Sequence, residues 1–296
     1  MKLASYAAEG TSSAALVDAS RLIPLRDDGR AVSMRELLER GVEHAERWAD
    51  SAAAIDLEAA TFAPVVPDSH AIWCAALTFM THVTEAPGRE APDYPLLFLR
   101  VAASQVGHRQ PLVRPAVSDQ FDYEGELAVI IGRPARHVPV DEALDHVAGF
   151  SCYNEGSVRD WQRHSTQITA GKNFEASGSF GPWLVTRDEF GDPREHSITT
   201  RVNGEVRQQA SISELLFGVD YLIHYVSTIH TLRPGDVVVC GTPGGVGLRR
   251  DPPTFLEPGD QVTVEIDGIG CLENTIVQEQ AERPPSWRPA DTESSA

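Results

Sequence analysis

The sequence predicts an α+β fold in which a β-rich main domain follows a small N-terminal α+β domain. Short apolar runs of strand character recur from residue 71 onward, separated by Gly and Pro. Helical periodicity is confined to a few stretches. Strands and helices do not alternate regularly, which sets the chain apart from a doubly wound βαβ architecture.

Along the chain, residues 1 to 30 contain LASYA, AALVDA and RLIPL, which read as a small antiparallel β unit. Ser33 and Glu36 then form a capping-box signature, with Met34, Leu37, Leu38, Val42 and Ala45 continuing at helical spacing. Residues 52 to 67 read as a connector, so the boundary is placed at 68, with a main domain over 69–280. Candidate strands of that domain are AIWCAAL, LLFLR, ELAVIIG, GPWLVT, TRVNGEV, DVVVCG and QVTVEID. One helix is expected over 141 to 147. A second is signalled by Ser211 and Glu214, followed by Leu215, Leu216, Val219, Leu222, Ile223, Val226 and Ile229. The tail, 281–296, carries Pro, Ser and charge with little to bury, and is expected to be mobile.

A formal net charge of −18 argues against a nucleic-acid surface, which needs clustered basic residues. No apolar run approaches the length of a membrane span, and the N-terminus lacks a signal-peptide core, so a cytoplasmic address is expected. Cys74, Cys152, Cys240 and Cys271 form no C-x-x-C pair and are expected to be buried free thiols.

The segment DYEGELAVIIG places Glu124 and Glu126 two apart, which sends both carboxylates to one face of an extended chain. An isolated E-x-E is most often a solvated strand edge. Here the strand runs on into apparently buried AVIIG, and a carboxylate pair at its mouth is better explained by a hard cation such as Mg²⁺, Mn²⁺ or Ca²⁺. A third carboxylate, Glu155, lies in NEGSVRDWQ with Arg159 and Gln162; Lys172 follows in GKNF, and Gly241 and Thr242 in GTPGGVG. The glycine-rich run lacks the Walker A lysine, so its glycines are read as letting backbone approach a ligand.

These blocks, in this order over roughly residues 70 to 278, resemble the fumarylacetoacetate hydrolase superfamily. The resemblance implies a fumarylacetoacetate hydrolase-like main domain and one divalent metal, Mg²⁺ or Mn²⁺ with Ca²⁺ possible, held by Glu124, Glu126 and Glu155. At the last position the family pattern has Asp, one methylene shorter. It also implies that Lys172, Thr242, Gly241, Arg159 and Gln162 lie beside a small 2-oxo or diketo acid, and that the chain forms a homodimer. In LTFMTHVTEAP, His82 and Glu85 keep the spacing of the family's N-Y-x-x-H-x-x-E motif, while Thr78 and Phe79 replace Asn and Tyr. Three residues apart, the pair shares one side of a helical turn, and a carboxylate orients an imidazole as a base. Pro87 and Gly88 favour a loop beyond it, so that the segment could close over substrate.

The expected activity is metal-dependent C–C bond hydrolysis of an acylpyruvate or β-diketo acid, with His82 activating water and an enolate stabilised at the metal. The same site would serve a hydratase, isomerase or decarboxylase of an unsaturated 2-oxo acid. Alternatively, Glu155 and the altered Thr78–Phe79 pair mark a metal-poor member that binds a ligand or catalyses cyclisation or dehydration.

Overall fold

The structure is a computed structural model, and it describes residues 1–8, 10–86 and 88–281. The expectations for Pro87 and for the tail from 282 onward lie outside the described residues.

The fold is α+β and dominated by two sheets. In the larger, 11-stranded sheet the strand order is Ile55–Asp56, Arg21–Pro24, Thr11–Asp18, Lys2–Ala8, Gly178–Thr186, Val147–Asn154, Gly125–Ile131, Val237–Val239, Ile72–Ala76 and Leu96–Arg100, with Gln105–Val106 paired to Gly178–Thr186. The N-terminal β unit is therefore continuous with this sheet, joined through Lys2 opposite Val185. The second sheet has five strands, in the order Leu112–Arg114, Gly270–Gln278, Gln261–Ile266, Ser197–Val202 and Glu205–Ser211.

Gly125–Ile131 is buried along its whole length. Leu127, Val129 and Ile131 face the core shared with Leu222, Val226 and the second sheet, while Ala128 and Ile130 face the core that holds Met34, Leu37 and Leu38. A strand covered on both faces reads as an unbroken apolar run, which is why AVIIG does not alternate. Burying each such aliphatic side chain contributes about 1.5–3 kcal/mol, and this rigid strand carries Glu126.

Several elements differ from the sequence reading. Ser33 caps Met34–Arg40 by accepting from the Glu36 amide, but Gly41, at φ 106°, stops the helix, and Val42–His44 and Ala45–Trp48 continue as separate short turns. TRVNGEV is a hairpin rather than one strand: Asn203 and Gly204 both have positive φ and turn Ser197–Val202 into Glu205–Ser211. The capping box at Ser211 and Glu214 closes only the 3-10 turn Ile212–Glu214. Leu216 donates its amide to Thr78 O and Leu215 bridges Phe79, so the long helix is delayed to Val219–Ile229. The helix expected over 141 to 147 is the 3-10 segment Val140–His146. All four cysteines are free, but Cys271 is exposed on an outward position of its strand.

Candidate active site

Glu124 precedes the buried strand and Glu126 lies on it; Glu155 follows the neighbouring strand Val147–Asn154. Register brings them together, since Gly125 pairs with Asn154 and Glu155 donates its amide to Glu124 O. One oxygen from each of the three buried carboxylates lies within 4.8 Å of the others.

Two buried cations contact this cluster. Lys172 Nζ lies 2.5 Å from Glu124 Oε2 and 3.0 Å from Glu155 Oε2. Arg159 Nη1 lies 2.7 Å from Glu124 Oε1, and its Nε donates to Asp122 Oδ2 at 2.8 Å. The third buried cation nearby, Arg100, instead donates to Ser104, Ser177 and the Gly156 carbonyl. Asp122, Glu124, Glu126 and Glu155 thus bring four buried carboxylates against two contacting cations. Such a deficit is costly away from water unless a further positive charge enters.

The ionisation of each group follows. Burial pushes against the Glu124 carboxylate, but Arg159 and Lys172 outweigh it and hold its pKa well below the usual range. Burial pushes Glu126 well up, and Glu155 and Glu124 add to the effect. Burial opposes the Lys172 ammonium too, yet Glu124 and Glu155 keep its pKa raised. Glu126 Oε2 accepts from the Gly241 amide at 2.6 Å, and Glu155 Oε1 is buried without a hydrogen-bond partner among the described residues. The donor set therefore fits a hard divalent cation: all-oxygen ligands, a short two-charge balance and an unused buried carboxylate oxygen.

The other expected residues fall around the same cavity of about 450 Å³, which His82, Arg159, Gln162, Lys172 and Thr242 line with the three glutamates. His82 Nδ1 and Glu85 Oε2 are 2.7 Å apart across the short helix Met80–Thr84, and the other Glu85 oxygen accepts from the Gly245 amide. Nδ1 being engaged, Nε2 is the nitrogen left for a substrate. Gln162 accepts from Arg159 Nη1 at 3.1 Å. Gly241 and Thr242 act on the protein itself: the Gly241 amide fixes Glu126, and the Thr242 hydroxyl donates to Gly125 O at 2.9 Å. Thr78, in place of the expected Asn, donates to Cys240 O and so holds the loop before Gly241.

The sequence reading missed two buried organisers. Asp122 accepts from the Gly247 and Leu248 amides as well as from Arg159, tying the glycine-rich loop to the Arg159 helix. Gln208 accepts from the Gly125 amide and donates to Thr242 Oγ1 and Pro243 O. Asp122 sits inside the DYEGELAVIIG segment already singled out, whereas Gln208 carries no local signal.

Residues 71–277 match the family model described as fumarylacetoacetate (FAA) hydrolase C-terminal. Over 223 residues the chain is 40% identical to the human protein named oxaloacetate tautomerase FAHD2A, mitochondrial, covering 74% of this chain and 70% of that one. Among solved structures it is similar to a fumarylacetoacetate hydrolase from Exiguobacterium antarcticum, with 34% identity, TM-score 0.81, and coverage of 94% of this chain and 100% of that one. It is also similar to maleylpyruvate hydrolase from Sphingobium sp. SYK-6 in complex with manganese (II) ion and pyruvate, at 26% identity and TM-score 0.76, covering 95% and 100% of the two chains. With its buried acidic triad and a family match spanning most of its length, the chain belongs to the fumarylacetoacetate hydrolase family of enzymes.

Proposed function

We propose that the chain is a divalent-metal-dependent enzyme that moves a proton at the carbon beside the oxo group of a small 2-oxo acid, interconverting keto and enol forms. The observation that carries this reading is the charge of the cavity. Three buried glutamates line it with Arg159 and Lys172 as their contacting cations, and Glu126 contacts neither cation, which suits one divalent ion held by Glu124, Glu126 and Glu155. When bound, Mg²⁺ or Mn²⁺ would supply Lewis-acid polarisation of the 2-oxo group.

The remaining work falls to the chain's own residues. His82, oriented through Nδ1 by Glu85, would take up or deliver the proton at carbon through Nε2. Two of the three N–H donors of Lys172 are spent on Glu124 and Glu155, and the third is available to the oxygen on which negative charge grows. Gly241 and Gln208 keep Glu126 and the Gly125 backbone in place, so that the site is organised before substrate arrives. The human relative's name, oxaloacetate tautomerase, supports this reaction class.

C–C bond hydrolysis is the second reading, favoured by the names of the Exiguobacterium and Sphingobium neighbours. In it the same His82 would deprotonate water. A panel of enol oxaloacetate, an acylpyruvate and an unsaturated 2-oxo acid, assayed with Mn²⁺-loaded protein, separates the two. Accelerated loss of enol absorbance without cleavage supports tautomerisation; acylpyruvate cleavage with no effect on enol oxaloacetate overturns it in favour of hydrolysis.

A further inference from the structure

The strand Leu96–Arg100 lies at one edge of the large sheet and pairs with Ile72–Ala76. Side chains two apart on a strand share a face, so Leu96, Phe98 and Arg100 form one row. Leu96 lines the cavity, the Phe98 ring centroid lies 5.3 Å from Lys172 Nζ, and Arg100 reaches the backbone beside Glu155. The Asn173 side chain bonds the strand as a further strand would: its Oδ1 accepts from the Val101 amide at 2.7 Å, and its Nδ2 donates to the Leu99 carbonyl at 3.1 Å. The turn that ends in Lys172 is thereby fastened to this strand.

Arg100 is the member of the row whose chemistry is out of place. It is buried, and among the described residues its hydrogen bonds go to neutral oxygens: Nε to Ser104 Oγ at 3.2 Å, Nη1 to the Gly156 carbonyl at 3.2 Å and Nη2 to Ser177 Oγ at 2.8 Å. A buried cation held by neutral acceptors is costly. A guanidinium near a carboxylate ordinarily pairs with it through parallel N–H bonds, and Glu155, the residue before Gly156, keeps Oε1 without a hydrogen-bond partner. The fork takes the backbone instead. Ser177 passes the restraint on by donating to the Phe174 carbonyl at 2.7 Å, so one guanidinium holds the corner after Glu155 and the turn after Lys172. The fit is close, since a Cβ on Gly178 would stand 2.9 Å from Arg100 Nη2.

We infer that Arg100 is a positioning residue for the metal centre: by holding the Gly156 carbonyl and Ser177 it sets the Glu155 carboxylate in place and leaves Oε1 open to a divalent ion. The inference rests on the metal reading above and deepens it. On its other side Glu155 is fixed by its amide bond to Glu124 O. Gly156 has no side chain to anchor the corner, and Arg100 supplies that anchor from a neighbouring strand. Groups that orient a metal ligand govern affinity by about 10–100-fold.

Calorimetric titration of the metal-free protein with Mn²⁺ tests the inference, because charge and positioning predict opposite signs. Arg100→Met removes a positive charge near the ion and on charge alone would tighten binding; positioning predicts instead that the Kd for Mn²⁺ rises about 10–100-fold. Arg100→Lys keeps the charge but not the planar fork, and its Kd should fall between those of Arg100→Met and the native chain. Ser177→Ala removes one anchor of the fork, so it should weaken binding less than Arg100→Met does, and the Arg100→Met, Ser177→Ala double variant should bind no more weakly than Arg100→Met. A lowered urea midpoint in Arg100→Met together with a native or tighter Kd would mark a merely structural arginine and overturn the inference. If Arg100→Met does not fold, Arg100→Lys decides: a weakened Kd upholds the inference and a native one overturns it. If the native chain does not bind Mn²⁺, the metal reading itself fails, and the positioning role with it.

Discussion

Glu126 accepts from the Gly241 amide in a buried setting where Glu155 and Glu124 repel its charge. Glu126→Ala should therefore abolish metal-dependent turnover while the protein remains folded, since it removes a ligand and lightens a repulsion; near-native activity in that variant would remove the metal role. Lys172 is the reverse case. Its ammonium neutralises Glu124 and Glu155, so Lys172→Met should cost the metal-free protein about 3–5 kcal/mol by leaving buried Glu155 without a cation and Glu124 with Arg159 alone. Mn²⁺ should then raise the Tm of the variant more than that of the native chain, and an equal rise in both would show that lysine and metal are not linked. His82→Ala and Glu85→Ala should each lower turnover roughly 10²–10⁴-fold, and the double variant little further, because one orients the other. Losses that multiply would mean independent roles. The triad, Lys172 and the dyad were legible because each sits in a short local block. Asp122 and Gln208 work instead through partners 34 to 126 residues away, which no local spacing discloses.

At the scale of elements, backbone approach is what the Glu155 corner depends on. A Cβ on Gly156 would lie 1.7 Å from the Ser177 carbonyl oxygen, and backbone cannot swing aside as a side chain tip can. Gly156→Ala should lower stability by about 1–3 kcal/mol and weaken Mn²⁺ binding by moving Glu155; a denaturation midpoint and an affinity both equal to the native ones would refute this. His108 offers a pH signature. Burial, helped by Arg109, pushes its pKa from 6.5 down to about 4, and its Nδ1 accepts from the Glu273 amide. Below 6.5 the unfolded chain binds a proton that the folded chain refuses until about 4, so this group's stabilisation is lost as pH falls through that window. His108→Gln should make the decline of the urea midpoint between those pH values shallower. Strand positions were legible where apolar runs lie between turns, as in DVVVCG, whereas helix limits were set by tertiary contacts such as Leu216 to Thr78, and a two-residue Asn-Gly turn was hidden inside one apparent strand.

For the whole molecule, the N-terminal strands extend the main sheet and Met34, Leu37 and Leu38 cover the back of the strand that carries Glu126. No helix among the described residues is long and apolar enough to cross a membrane. The division at residue 68 remains our proposal, as does a closed two-fold homodimer. The dimer is supported by the edge strand Leu96–Arg100, which leaves Leu96 and Leu99 exposed beside Val101 and Tyr94; sedimentation as a monomer at micromolar concentration would refute it. Charge ties the scales together: an acidic molecule buries four neighbouring carboxylates against two contacting cations. Titrating metal-free protein with Mn²⁺ while following bound ion and Tm is the most direct test of that balance. The account predicts one ion per chain, a rise in Tm on binding, and loss of both in Glu126→Ala; no saturable binding, or binding that Glu126→Ala leaves intact, would contradict it.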